Sequence, residues 1–297
     1  MKTMRASLLT SVTLAVLALS LLAAAQAQTE YSYLRIDVPN GSQTFPRGIN
    51  ARGDIFGGYI DANGVAHDFL LRNGVCTTID YGRAHAGALA MNARGDLVGN
   101  LEDGHGFLLS DGKLTRIDYP GSSLTRAFGI NNAGDITGLY LTAAGATRGF
   151  ILSAGTFHNV ALPGGADLGV HGSQDNGRTL VGDELVASDL SVRGFVRNKP
   201  LDVLLLEPTG TIFPCSHARG TNQRGAVVGA FSIVHDVDEC NNRPPAIGFV
   251  WKDGAYDIIN PPGAHDAFAF GINDYGVVVG VVADANGVHG FKATPKK

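Results

Sequence analysis

Downstream of Ala27 the chain has no hydrophobic run long enough to span a bilayer, and hardly any window keeps an apolar stripe at i, i+3 and i+4 for three turns. The first absence excludes a helical membrane span there, and the second excludes a helical bundle. Basic charge is scarce as well: 23 Lys and Arg stand against 27 Asp and Glu, a formal charge of -4. Such a chain has no electrostatic footprint for nucleic acid or for an anionic lipid surface. With only 3 Cys it cannot be a disulfide scaffold. Enzyme signatures are missing too: there is no Gly-x-Ser-x-Gly elbow, no His-Glu-x-x-His, no Cys-x-x-Cys and no phosphate-cradling loop.

What the chain has in quantity is turn-forming residues. Its 40 Gly and 12 Pro are scattered throughout and separate short apolar segments, an all-β signature. The N-terminus reads differently. Lys2 and Arg5 precede an apolar run from Leu8 to Leu22, broken by Thr10, Ser11, Thr13 and Ser20, and Ala25-Gln26-Ala27 is a small-x-small cleavage site. This pattern predicts a signal peptide over residues 1–27, cut after Ala27, with one domain over 28–297 and no membrane span after cleavage. The first cysteine is Cys76, so no lipid-anchor cysteine sits at the cut. Losing Lys2 and Arg5 takes the formal charge from -4 to -6. The expected location is the bacterial periplasm or the exterior.

Internal repetition decides the fold. The phrase Gly48-Ile49-Asn50-Ala51-Arg52-Gly53-Asp54-Ile55-Phe56-Gly57 returns as Met91 to Gly99 and as Gly129 to Gly138. A worn copy ends at Gly182 with one extra residue, and two more end at Gly229 and Gly280. These glycines lie roughly 40 to 50 residues apart, the span of one four-stranded propeller blade. Each copy then carries a strand led by Phe69, Phe107, Phe150, Phe195, Phe249 or Phe291, and most end in a Pro-Gly turn such as Tyr119-Pro120-Gly121. The expected fold is therefore an all-β, six-bladed β-propeller. In each four-stranded blade, strands A and B flank the Asn-x-x-Gly turn, C carries the Phe and D ends at Pro-Gly. Ile55, Val98, Ile136, Val228, Val278 and the six Phe side chains are the expected filling between blades.

Too little chain follows Phe291 to form a strand D, whereas Leu34 to Gly41 is an orphan copy of one. The N-terminal strand is thus predicted to complete the last blade and close the ring, an overhang that an open solenoid would not need. With its Gly-Ile-Asn-x-x-Gly phrase, its His-x-Phe or His-Gly-Phe strands at His67, His105 and His289, and its Pro-Gly turns, the chain resembles the HAF-repeat family of bacterial extracellular proteins over residues 31 to 295. The resemblance implies an extracytoplasmic repeat protein with a propeller-like fold and carries over no catalytic residues.

In such a ring the A–B and C–D turns share one face, and the B–C loops and D–A connections share the other. Only the B–C loops vary strongly in length, up to the long stretch before Ala246, and variable loops on a rigid scaffold are where binding usually resides. Candidate ligand-binding residues in the D–A connections are Arg83, His85, Arg126, Asp167, His217, Arg219, His265 and Asp266. Cys215 and Cys240 fall on the same face of the fifth blade and are predicted to form a disulfide, leaving Cys76 free. His235, Asp236, Asp238 and Glu239 offer metal ligands at a spacing that matches no standard site. No cofactor is expected. The leading functional reading is a monomeric binding or interaction module that presents its loop face to a protein or glycan partner. The alternatives are a hydrolase or lyase at the channel mouth and a structural surface protein without a small ligand.

Overall fold

The computed structural model describes residues 29–79, 81, 86–163, 167–177, 179–186, 190–199, 202–206, 215–232, 234, 240 and 245–296. The predicted signal peptide lies outside the described residues, as do Arg83, His85 and the metal candidates His235, Asp236, Asp238 and Glu239.

From Tyr31 onward the chain is a six-bladed β-propeller, six antiparallel sheets of four strands each. After β1 (Tyr31–Ile36), blade 1 comprises β2 (Gly41–Ile49), β3 (Ile55–Asp61), β4 (Ala66–Arg72) and β5 (Val75–Thr78). Blade 2 comprises β6 (Ala86–Met91), β7 (Leu97–Leu101), β8 (Gly106–Ser110) and β9 (Lys113–Ile117). Blade 3 follows with β10 (Thr125–Ile130), β11 (Ile136–Leu141), β12 (Thr147–Ser153) and β13 (Thr156–Val160). In blade 4 these are β14 (Leu168–Ser173), β15 (Leu180–Leu185), β16 (Val192–Lys199) and β17 (Asp202–Leu206). Blade 5 has β18 (Ser216–Thr221), β19 (Val227–Phe231), β20 (Ile247–Lys252) and β21 (Ala255–Ile259). Blade 6 has β22 (Asp266–Ile272), β23 (Val278–Asp284) and β24 (Gly287–Pro295), and its fourth strand is β1, paired to β24 from Tyr31↔Pro295 to Ile36↔Gly290. The N-terminal strand therefore closes the ring.

Local chemistry explains the meander. Four C–D turns are two-residue loops with both φ positive, among them Asn73-Gly74 (50° and 79°) and Asp253-Gly254 (51° and 88°), the type I′ geometry that matches the twist of a hairpin. In the A–B turns, Asn50 folds back so that its Oδ1 accepts from the backbone N–H of Arg52 and of Asp54, both at 3.0 Å. Asn222 repeats this with Arg224 and Ala226. Blade 4 absorbs its extra residue in this turn: Gln174 N donates to Thr179 O, where Asn50 N donates to Asp54 O.

Burial is organised between blades rather than within them. Six apolar clusters occupy the six interfaces, for example Phe56, Ala88, Leu97 and Phe107 between blades 1 and 2, and Ile36, Ile49, Phe69 and Val279 across the closing seam. The six strand C phenylalanines are at most 1% exposed, and Ile55, Val98, Ile136, Val228 and Val278 are buried with them. At roughly 2 to 3 kcal/mol for each buried Phe, every blade draws its stability from its neighbours, so an open ring would leave two such faces wet.

Candidate functional site: the axial cavity

Each innermost strand carries a β-bulge at the same place. The pairing register slips between Pro46 and Gly48, Ala88 and Ala90, Ala127 and Gly129, Val170 and Gly172, Ala218 and Gly220, and Ala269 and Gly271. A bulge re-aims the extra side chain. Here the six bulged residues Arg47, Leu89, Phe128, His171, Arg219 and Phe270 all line one cavity of about 370 Å³ along the axis. The glycine that ends each repeat phrase is what admits the bulge. A Cβ on Gly57, Gly99, Gly138, Gly182, Gly229 or Gly280 would lie 1.8 to 2.2 Å from a carbonyl oxygen of the inner strand.

Strand direction orders the layers along the axis. The bulged ring lies toward the B–C and D–A loops, and below it comes a waist of Ile49, Met91, Ile130, Ser173, Thr221 and Ile272, which separates the cavity from a second one of about 110 Å³ at the A–B face. That face is laced from blade to blade. Asn131 Nδ2 donates to Gln174 O (3.0 Å), Gln174 Nε2 to Asn222 O (2.8 Å), Asn222 Nδ2 to Asn273 O (2.9 Å) and Asn273 Nδ2 to Asn50 O (3.2 Å), the last across the seam. A second chain of bonds runs outside it, in which Asn132, Asp175, Gln223 and Asp274 each accept from a backbone N–H of the preceding blade.

The cavity wall mixes apolar and cationic side chains. In blade order the ring reads Arg47, Leu89, Phe128, His171, Arg219 and Phe270, so Leu89 lies across from Arg219, Phe128 across from Phe270 and Arg47 across from His171. Phe128 stacks on His171 at 4.7 Å, Phe268 stacks on Phe270 at 4.7 Å, and the Arg219 guanidinium lies 5.7 Å from the Phe268 ring centre. Behind the wall, Asp183 on β15 gathers the polar side chains. Its Oδ2 meets His217 Nδ1 at 3.0 Å, Arg219 Nη1 at 3.1 Å and His171 Nε2 at 3.2 Å, while its Oδ1 accepts from Ala218 N at 2.9 Å. Burial alone would raise the Asp183 pKa, but the Arg219 charge, then His217 and His171, hold it well below the usual carboxylate range. Burial, joined by the Arg219 charge, pushes the His171 pKa down against the pull of Asp183, so its neutral form is favoured. Arg47 is anchored by its Nη1 to Ala88 O at 2.9 Å.

The candidates read from sequence separate into two groups. Arg219 lines the cavity and His217 stands one layer above it, but both lie on the inner strand β18 rather than in a D–A connection; Arg126 is likewise on β10, and exposed. Asp167 and Asp266 serve the scaffold, since each accepts from a backbone N–H of the preceding blade, Thr147 N at 2.9 Å and Ala246 N at 2.7 Å. His265 is exposed, and its backbone N–H donates to Ala283 O. The carboxylate that His217 meets is thus Asp183. Sequence reading missed Arg47, Leu89, Phe128, His171, Asp183 and Phe270. A signal existed: five of the six bulged residues directly precede a glycine of strand A, and Leu89 precedes Ala90.

The predicted disulfide Cys215–Cys240 is present, and Cys76 is a free, half-buried thiol on β5 whose pKa burial pushes up. The repeat histidines pair locally, His67 with Asp61, His105 with Asp118 and His289 with Asp37. Among the described residues no group of three His, Cys, Asp or Glu is arranged to hold a metal ion, and no helix is long and apolar enough to cross a membrane.

No protein-family model and no curated protein matches the chain. Among solved structures, a gluconolactonase from Xanthomonas campestris is similar over 92% of this chain and 93% of its own, with a TM-score of 0.55 and 13% identity. A lectin from Aleuria aurantia, solved in complex with Fucalpha1-6GlcNAc, is similar over 89% of this chain and 93% of its own, with a TM-score of 0.51 and 11% identity. At these identities the likeness shows the propeller fold and nothing finer.

Proposed function

We propose that the protein is an extracytoplasmic binding module of the HAF-repeat type that takes a small ligand in its axial cavity, approached from the B–C and D–A loop face. The mixed wall carries this reading. A cavity of about 370 Å³ that combines apolar and aromatic side chains with a few polar groups has the size and composition of a ligand pocket. The Cys215–Cys240 disulfide fits an oxidising compartment. A propeller fold shared with a lectin and a gluconolactonase is compatible with binding and does not choose a ligand.

The test is a thermal-shift screen of the protein against sugars, sugar acids, carboxylates and divalent ions. A ligand at about 100 times its Kd stabilises by about 2.7 kcal/mol, and that gain should vanish in Phe128→Ala. If no compound shifts the transition, the cavity is not a site, and a protein or glycan partner of the loops or a purely structural role takes its place. One observation favours a second reading, a hydrolase or lyase: His217, held by Asp183 at 3.0 Å, has the pairing of an oriented general base. Turnover of any bound compound, abolished in His217→Gln with binding retained, would establish it.

A further inference from the structure

We infer that the axial cavity is built for an amphiphilic organic acid, a carboxylate carried on an apolar ring or short chain. This rests on reading the cavity as a binding site and adds the class of ligand. Among the described residues the ionisable side chains on the wall are Arg47, Arg219 and His171, and none of the lining residues is a carboxylate. The acid that balances Arg219 stands behind the wall, where Asp183 is also held by two histidines and a backbone N–H.

Donor and acceptor capacity then separates the candidates. Arginine only donates, so its partner must accept. Arg47 spends one N–H on Ala88 O; Arg219 turns Nη1 and Nη2 to His171 and His217, and its Nε is buried without a hydrogen-bond partner among the described residues. The side-chain oxygens on the wall belong to Ser173 and Thr221, and both are already engaged, Ser173 Oγ by Asn131 and Thr221 Oγ1 on Ala226 O. A sugar brings many O–H donors, for which the side chains of this wall offer few acceptors, the two hydroxyl oxygens and a ring nitrogen of His171. A carboxylate brings acceptors only, and guanidinium groups are their natural partners. Across from Arg219 and beside Arg47, Leu89 and Phe128 offer an apolar surface continuous with the waist residues Met91 and Ile130, against which a ring or chain can lie.

Isothermal titration of the protein tests this with phenylacetate, cyclohexanecarboxylate, cinnamate and octanoate as probes. Each is compared with its neutral amide, and acetate and methyl glucoside serve as controls. At least one acid should bind tenfold or more tightly than its amide and than acetate. Arg219→Gln and Arg47→Gln should each weaken the acid at least tenfold while leaving the amide within threefold, and Arg219→Lys should restore part of the loss. Because Arg219 also holds Asp183, the Arg47 variant guards against a merely disturbed wall. Equal binding of acid and amide, or binding of methyl glucoside but of no acid, would overturn the ligand class and leave the cavity a site. No binding by any acid at millimolar concentration overturns this inference. If the wider thermal-shift screen is silent as well, the reading of the cavity as a site falls with it.

Discussion

The two faces of the propeller solve opposite problems. On the A–B face one solution recurs in most blades, an Asx-folded turn closed by glycine, and blades 3 to 6 add a side-chain amide that donates to the next blade or a side-chain oxygen that accepts from the preceding one. On the other face the caps are of several kinds: Asp167 and Asp266 act alike, and so do Asn100 and Asp183. Thr147 N is capped by Asp167, Ala246 N by Asp266 and Ala88 N by Asp68, and blade 5 adds a disulfide. The uniform face secures closure, so the other is free to differ from blade to blade. The axial cavity, one bulged side chain per blade, inherits that freedom while its backbone stays on the uniform side's register.

The largest expected effect falls on what both faces share. Deleting residues 29–40 removes β1 and exposes the outer edge of β24 together with the seam cluster around Ile36 and Phe69. We expect no cooperative transition by calorimetry. A deletion variant that melts as the full protein does would show that closure does not need this strand.

The next variants separate the faces. Asn222→Leu removes a bond to Asn273 O, leaves the buried Ala226 N–H without its acceptor and frees the part-buried Arg224 N–H to water, at roughly 2 to 3 kcal/mol. Urea denaturation should show this loss with ligand affinity unchanged. On the loop face, Cys215→Ser with Cys240→Ser opens a loop with a sequence separation of 25 residues. Loop-closure entropy puts that loss at about 3.5 kcal/mol, and because Cys215 directly precedes β18, the strand that carries Arg219 to the cavity wall, binding should weaken with it. If Asn222→Leu alters affinity and the cysteine pair does not, the division of labour between the faces is reversed.

The uniform face was legible in the sequence because its demands are backbone demands. Gly229 is there because a Cβ would lie 1.8 Å from His217 O, and Phe249 because a blade must fill the gap to its neighbour. Such needs repeat with the backbone, and repetition is visible without a structure. The site has no such grammar. Arg47, Phe128, His171 and Arg219 come from four blades, one residue each, and only the six bulges bring them together. Asp183 was harder still, since at the corresponding place blade 2 has Asn100, blade 3 Leu139 and blade 5 Ala230. Polar residues between the repeat phrases stand out in the sequence instead, and two of them, Asp167 in a connection and Asp266 at the start of β22, are caps for the preceding blade.

The smallest expected effect is a difference in the pH at which the two sides yield. On the A–B face, burial alone would raise the Asp54 and Asp96 pKa values, but hydrogen bonds outweigh it, from Asn50 and Arg52 to the first and from Ser110, Asn92 and Arg94 to the second, and both lie below the usual 3.8. Their contribution is complete above the unfolded value and is lost only as pH falls below it. Asp183, depressed further, joins them in that window. His171 behaves differently. Its folded pKa lies below the model-peptide value of 6.5, so below that pH the unfolded chain binds a proton that the folded chain refuses. Stability should therefore decline as pH drops from 6.5 toward the folded value, by at most about 1.4 kcal/mol per pH unit for one proton. Urea midpoints measured between pH 7 and 5 should slope downward in the wild type and flatten in His171→Gln, whereas both proteins should lose stability alike once the pH passes below 4. An unchanged slope in the variant would move the acid sensitivity away from the cavity.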